Sequence, residues 1–202
     1  MSQQTKTDNH NPSAKLMLRR HFLAKYHGDK PPRVLDCFQG SGLLWLKLSR
    51  EFALGSYWGV DLKPKKGRLK IDSSRILEQH GWEADVVDLD AYGSPWTHWR
   101  HLVRTFSGES VTVFITIGMV KVGGGNFDRS VLDLTGCHFR ELKLPKGLGV
   151  RLSDNAVAFA LADAEANGLE PIEVQEAFPQ SHARYIGVHL RRKNAPIPRV
   201  SP

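Results

Sequence analysis

The sequence predicts an α/β fold: a mainly parallel central sheet, helices on both faces, and an antiparallel pair of strands at the C-terminal end. Three observations carry this. Short apolar strands alternate with helical segments from residue 33 onward, the pattern of a parallel sheet covered on both sides. Asp85 to Leu89 is rich in valine, with apolar residues at three of its five positions and on both faces, as a buried parallel strand should have. Ile172–Phe178 and Arg184–Leu190 are separated only by a short Pro-Gln-Ser-His link, which suits an antiparallel pair and is too short for a parallel crossover.

Taken in order, residues 1–12 are polar and aperiodic and read as a disordered tail. Ser13 to Tyr26 reads as a helix with Ser13 as N-cap, an apolar face from Leu16, Leu18, Phe22 and Leu23, and a charged remainder including Lys15 and Arg19. Gly28 and the Pro31-Pro32 pair end it. Arg33 to Cys37 is a first strand ending near Asp36, and Gly40 to Gly42 is a turn. Leu43 to Phe52 is a helix, and Tyr57 to Asp61 is a second strand, again ending in an acid. Only a Lys/Pro/Gly-rich loop separates Asp61 from Leu69, so Leu69 to Asp72 is either a third strand whose crossover helix has been lost, the favoured reading, or not a sheet strand. Ser73 caps a helix to His80. Val111 to Ile117 is a further strand, and Asp154 to Asn167 an alanine-rich helix closed by Gly168. The organisation expected is one domain over residues 13–193, with a C-terminal tail at 194–202.

Composition narrows the classes. The 202 residues are 41% hydrophobic and 24% charged, ordinary for a globular domain. No apolar run approaches the roughly 20 residues of a membrane helix, and the polar N-terminus lacks the apolar core of a signal peptide. Cys37 and Cys137 form no Cys-x-x-Cys pair, which fits a reducing cytoplasm. The net charge of +7 favours polyanionic partners, RNA or DNA, although solubility alone would also account for it.

The chemistry lies in two segments. In Asp36-Cys37-Phe38-Gln39-Gly40-Ser41-Gly42 a buried strand runs into a glycine bend and a helix start, where the backbone can approach a ligand closely. Asp61 follows about 20 residues later, where an acid can hold ribose hydroxyls. The third glycine of a dinucleotide fingerprint is absent, Trp45 standing there, and no phosphate loop exists. A carboxylate at Asp36 would repel a pyrophosphate. It suits a ligand with an ammonium group, as in S-adenosylmethionine. In Asp88-Leu89-Asp90-Ala91-Tyr92-Gly93-Ser94-Pro95, a strand delivers acids to the ligand-binding edge of the sheet, followed by an aromatic that can stack on a planar base.

Residues 33–118 resemble the core of class I S-adenosylmethionine-dependent methyltransferases, a Rossmann-like fold. Asp90-Ala91-Tyr92-Gly93-Ser94-Pro95 is similar to the Asp-Pro-Phe-Gly-Ser-Pro motif of tRNA guanine-N2 methyltransferases and, more distantly, to the Asp-Pro-Pro-Tyr motif of amino-group DNA methyltransferases; Ala91 replaces the proline. The resemblance implies S-adenosylmethionine as cofactor, held by Asp36, Phe38, Gly40, Gly42, Asp61, Asp72 and Ser73. It implies Asp90 and Tyr92 as the residues that hold and orient the target amine. Gly93, Ser94 and Pro95 would contact the acceptor. Lys65 and Lys66, with Lys63, Arg68 and Lys70, form a basic loop that either tracks a phosphate backbone or is simply solvated. Trp96 and Trp99 read as core residues rather than a base cradle. His98 and His101 lack the partners a zinc site needs.

Overall fold

The computed structural model describes residues 12–65, 68–91, 94–118, 148–177 and 183–193. Its elements are α1 (Pro12–Tyr26), β1 (Arg33–Asp36), α2 (Leu43–Leu48), β2 (Ser56–Gly59), α3 (Ser73–Glu78), β3 (Val86–Leu89), α4 (Trp96–Thr105), β4 (Ser110–Gly118), α5 (Leu148–Ala166), β5 (Leu169–Ala177) and β6 (Ala183–Arg192). They build one six-stranded sheet in the order β2-β1-β3-β4-β6-β5. The β2–β1, β1–β3 and β3–β4 pairs are parallel, and β6 runs antiparallel to both β4 and β5. The α/β class and the antiparallel closing strands are therefore as the sequence predicts.

Alternation along the strands sorts the core into two layers. Val34, Val86 and Phe114 face α1 and α2, packing with Phe22, Leu23, Trp45 and Leu48. Leu35, Val87, Leu89, Val113 and Ile115 face α3, α4 and α5, packing with Leu77, Trp96, Trp99 and Leu102. Ala156, Ala160 and Ala164 recur every fourth residue on the buried stripe of α5. Their small side chains let Trp99 reach the helix backbone, its Nε1 donating to the Ala160 carbonyl at 3.1 Å. Trp96 and Trp99 are both fully buried, which settles them as core. On the other face, α1 sits directly on β6, because a Cβ at Gly187 would collide with the Phe22 ring.

Four local readings need correction. Helix α1 begins at Pro12 rather than being capped by Ser13; proline is tolerated in a first turn, whose N–H groups are orphans anyway. The helix of residues 43–52 shortens to Leu43–Leu48, since Arg50 and Glu51 turn back on the carbonyls of Lys47 and Leu48 three residues earlier. Asp72, not Ser73, caps α3: its Oδ1 accepts the Ser74 N–H at 3.0 Å, while the Ser73 hydroxyl is spent on the Cys37 carbonyl. Leu69–Asp72 does not form a strand. It contributes one isolated parallel bridge, Asp61 with Lys70, with Ile71 N–H donating to the Asp61 carbonyl. The loop is too short and too rich in charge and proline to extend the pairing beyond β2.

Candidate functional site

The chain moves outward from β1 to β2, then crosses back to β3 on the other side of β1. That reversal makes the C-terminal ends of β1 and β3 a switch point, the place in an open parallel sheet where a crevice opens. Asp36 and Asp88 lie in register there, and Cys37 N–H donates to the Asp88 carbonyl at 3.0 Å.

The glycine bend is tied down on the side of β2. Gln39 N–H donates to the Val60 carbonyl, and Gly40 N–H to Asp61 Oδ2 at 3.0 Å. Gly40 (φ 49°) and Gly42 (φ 66°) both take left-handed backbone, which other residues adopt only with strain. A Cβ at Gly40 would meet only the Phe38 carbonyl, at 3.7 Å, so the bend is open there. At Gly42 the same position lies 2.6 Å from the Arg68 guanidinium, which donates to the Ser41 carbonyl. From the next segment, buried Ser73 reaches the Cys37 carbonyl at 2.9 Å and His98 Nε2 at 3.0 Å. Phe38 packs on His98, ring centroids 4.7 Å apart. The structure thus gathers Phe38, Gly40, Asp61, Asp72, Ser73 and His98 along one edge.

His98 was not among the residues singled out for the site. The Ser73 hydroxyl gives its proton to a carbonyl, so it must accept from His98 Nε2–H. That leaves Nδ1 as a bare acceptor, and among the described residues it has no partner. Burial holds the imidazole well below its usual pKa, at about 4, against the pull of Asp72 and with His101 adding to the lowering, so it is neutral near pH 7.

The acid side is built differently. Lys15 and Arg19, four apart on α1, share a helix face, and Asp88 and Asp90, two apart, share a sheet face. The cations meet the acids. Lys15 Nζ lies 2.6 Å from both Asp90 oxygens. Arg19 makes a bidentate pair with Asp88 at 2.9 and 2.6 Å, and Trp45 Nε1 adds a third donor at 2.7 Å. Arg19 and Asp88 side chains are 2% and 3% exposed, so this pair is fully desolvated; Asp90 keeps 24% of its side chain in solvent. Burial would raise the Asp90 pKa, but Lys15 and Arg19 outweigh it and hold the carboxyl below its ordinary range.

Asp36 lies under this network. Its oxygens accept from Tyr57 Oη at 2.8 Å and Phe38 N–H at 3.2 Å. Burial, then the neighbouring Asp88 charge, push its pKa up to about 8, despite those hydrogen bonds and Arg19. Ser94 accepts the Trp96 N–H at 3.4 Å and Pro95 is the N-cap of α4, so both begin a helix at this edge. Lys65 is exposed, its carbonyl accepting the Arg68 N–H. Tyr92, Gly93 and Lys66 lie outside the described residues.

No family model matches the chain, and no curated protein does. Solved structures do. Trm1 from Pyrococcus horikoshii, solved with S-adenosyl-L-methionine, superposes with a TM-score of 0.61 at 17% identity, over 90% of this chain and 56% of that one. The fold is that of class I methyltransferases. TYW2 from M. jannaschii, in complex with AdoMet, gives 0.52 at 12% identity, over 89% and 77% of the two chains. The 1,6-didemethyltoxoflavin-N1-methyltransferase of Burkholderia thailandensis, with 1,6-didemethyltoxoflavin and S-adenosylhomocysteine bound, gives 0.52 at 16%, over 92% and 80%. The chain spans little more than half the length of Trm1. Set against that fold, Lys15, Arg19, Trp45, Tyr57 and His98 are the site-edge residues the motifs missed. The signal for two of them was present: Lys15 and Arg19 fall in the buried stripe with Leu16, Phe22 and Leu23.

Proposed function

We propose that the chain is an S-adenosylmethionine-dependent methyltransferase acting on an exocyclic amino group of a nucleic-acid base. The observation that supports this most is the convergence, at the switch point of a methyltransferase fold, of an open glycine bend, the acid Asp61 and the donor-less acceptor His98 Nδ1.

The residues fit the cofactor. Asp61, fixed against Gly40, suits ribose hydroxyls; Asp72, Ser73 and neutral His98 suit an adenine edge, whose amino group is the donor His98 Nδ1 lacks. Phe38 gives that edge an apolar wall. Gly40 and Gly42 let the backbone close on the amino-acid end. Asp36 is placed to take up its ionised form when a cation binds beside it. When bound, S-adenosylmethionine supplies a methyl group on an electrophilic sulfonium. The protein's part is to position the acceptor in line with that bond and to exclude water. Asp90 would orient the amine, with Tyr92 stacking on the base and Ser94 and Pro95 framing it. Because Lys15 holds Asp90 ionised, the carboxylate serves better as a hydrogen-bond acceptor that orients N–H than as a strong base.

Titration calorimetry with S-adenosylmethionine and radiolabelled methyl transfer to tRNA, total RNA, DNA and a protein lysate test this. Asp90→Ala should abolish transfer and spare cofactor binding, whereas Asp36→Ala should weaken cofactor binding itself; cofactor affinity unchanged in Asp36→Ala would refute the assigned role. Two observations favour other readings. The Burkholderia enzyme superposes as well as TYW2 and holds the small molecule 1,6-didemethyltoxoflavin, so transfer to a small molecule or protein is one. The Lys15–Asp90 pair favours the other, a nucleic-acid-binding protein without turnover; it predicts nucleic-acid binding with no transferred label.

A further inference from the structure

The edge strand β2 is open to solvent at Ser56, Tyr57 and Trp58. Between it and α2 lies a groove of about 300 Å³, whose lining includes Gln39, Leu43, Leu46, Leu54, Tyr57 and Arg68. It adjoins the cofactor edge at the glycine bend, through Ser41, Gly42 and Arg68, while Asp61, Asp72, Ser73 and Asp90 do not line it.

Its chemistry is specific. Leu43 and Leu46 are 57% and 51% exposed, unusual for leucines on one short helix. Tyr57 is half-exposed with its hydroxyl fixed on Asp36, so its ring is held in place. Gln39 is laid over Gly59 and Tyr57, and among the described residues its buried Oε1 has no donor. The surrounding charge is one-sided. Residues 39–70 contain seven of the lysines and arginines and only two acids, so most of the chain's net charge of +7 resides there. Both acids are engaged: Glu51 pairs with Arg20, and Asp61 accepts from Gly40 and Lys63 N–H. Among the described residues Lys47, Arg50, Lys63, Lys65, Arg68 and Lys70 have no acidic partner. An apolar floor with an aromatic ring, one unfilled acceptor and a cationic rim suits a planar base with an amino group and a phosphate on either side. A partner helix would leave the rim cations opposed by nothing, and the volume, at the lower end of small-ligand sites, suits one nucleoside.

We propose that this groove holds one nucleotide of a single-stranded nucleic acid that flanks the methyl-accepting base; the word flanking rests on the function proposed above, the groove itself does not. The base lies against Leu46 and Tyr57 with its amino group toward Gln39 Oε1, and Arg68 and the loop lysines take the phosphates.

Fluorescence anisotropy on the full chain tests it, with a short labelled single-stranded RNA of mixed sequence and the DNA of the same sequence as probes. Leu46→Glu, and independently Leu43→Glu, should weaken binding about tenfold, the scale of one base stacked on a side-chain platform. Phe159→Glu, an equally exposed apolar residue on α5 across the sheet, should change it less than about twofold. Equal loss for RNA and DNA assigns the groove to base and phosphate; loss for RNA alone adds the ribose hydroxyl. Affinity unchanged in both leucine variants overturns the proposal. So does sedimentation in which wild type self-associates and Leu46→Glu does not, which gives the groove to a second copy. Calorimetry with S-adenosylmethionine separates the two readings. Unchanged RNA affinity in variants that still bind cofactor removes the groove alone. Groove-dependent RNA binding by a wild-type chain that binds no cofactor removes the enzyme and leaves the groove.

Discussion

The two neighbouring stretches of the sheet's C-terminal edge handle charge in opposite ways. Over β3, Asp88 and Asp90 are each met by a cation from α1, and the pair with Asp88 is sealed from water. Beside β2, cations outnumber acids and reach toward solvent with no counter-charge of their own. A buried charge without a partner costs several kcal/mol, so the first region can exist only as a matched set. An exposed cation costs almost nothing, so the second can stay unmatched. Matched and unmatched charge are thus separated along one edge.

The largest effect should come from breaking the sealed pair. Arg19→Met leaves Asp88 buried beside Asp36 with only Trp45 as a donor, and should lower unfolding free energy by about 3–5 kcal/mol in urea titrations. A loss below about 1 kcal/mol would mean that Asp88 is not charged in the fold.

Second comes the titration of Asp36. Its carboxyl is raised, so below pH 8 it holds a proton that a cationic cofactor must displace. Binding then releases a proton, and affinity for S-adenosylmethionine should rise with pH up to about 8, by as much as about tenfold per unit, then level off. Calorimetry across that range in two buffers of different ionisation heat reads both the slope and the proton. Asp36→Asn should flatten the profile, and a flat wild-type profile would remove Asp36 from cofactor binding.

Lys15→Met is expected to act less on stability, by about 1 kcal/mol, because Asp90 keeps a quarter of its side chain in solvent. Its sharper readout is kinetic. Lys15 keeps the Asp90 pKa low, so its removal raises that pKa, and the acid limb of the pH–rate profile should move to higher pH. An unmoved limb would mean that Asp90 does not titrate in the rate-limiting step. The smallest effect belongs to the open region. Lys65→Ala should leave stability unchanged and reduce the slope of log affinity against log salt by about one for a nucleic acid.

What could be read from the chain follows the same division. Apolar runs located β1, β3 and β4, because buried parallel strands are written in consecutive apolar residues, and the short link between the two closing strands marked them as an antiparallel pair. Asp61 and the glycine bend came together as their spacing implies, at 3.0 Å. The failures are places where tertiary partners decide. Lys70 bridges Asp61 for a single residue, and no local pattern distinguishes one bridge from a strand. Ser73 and Asp72 are both good caps, and a carbonyl 36 residues away in sequence decides between them. Lys15 and Arg19 read as solvated charge because hydropathy treats a paired ion as polar. Their place in the apolar stripe with Leu16, Phe22 and Leu23 points to burial, and the matching spacing of Asp88 and Asp90 on another element supplies the partners.

The contact of Phe22 with the bare backbone of Gly187 has a reach beyond packing. Helix α1 touches β6 there with no spacer, and the same rigid rod bears Arg19 about one turn and Lys15 about two turns earlier. A single methyl added at position 187 would act as a wedge under the rod. It would lift the cations from Asp88 and Asp90 together, making a glycine that lies level with Asp88, two strands across the sheet, a lever on both acids.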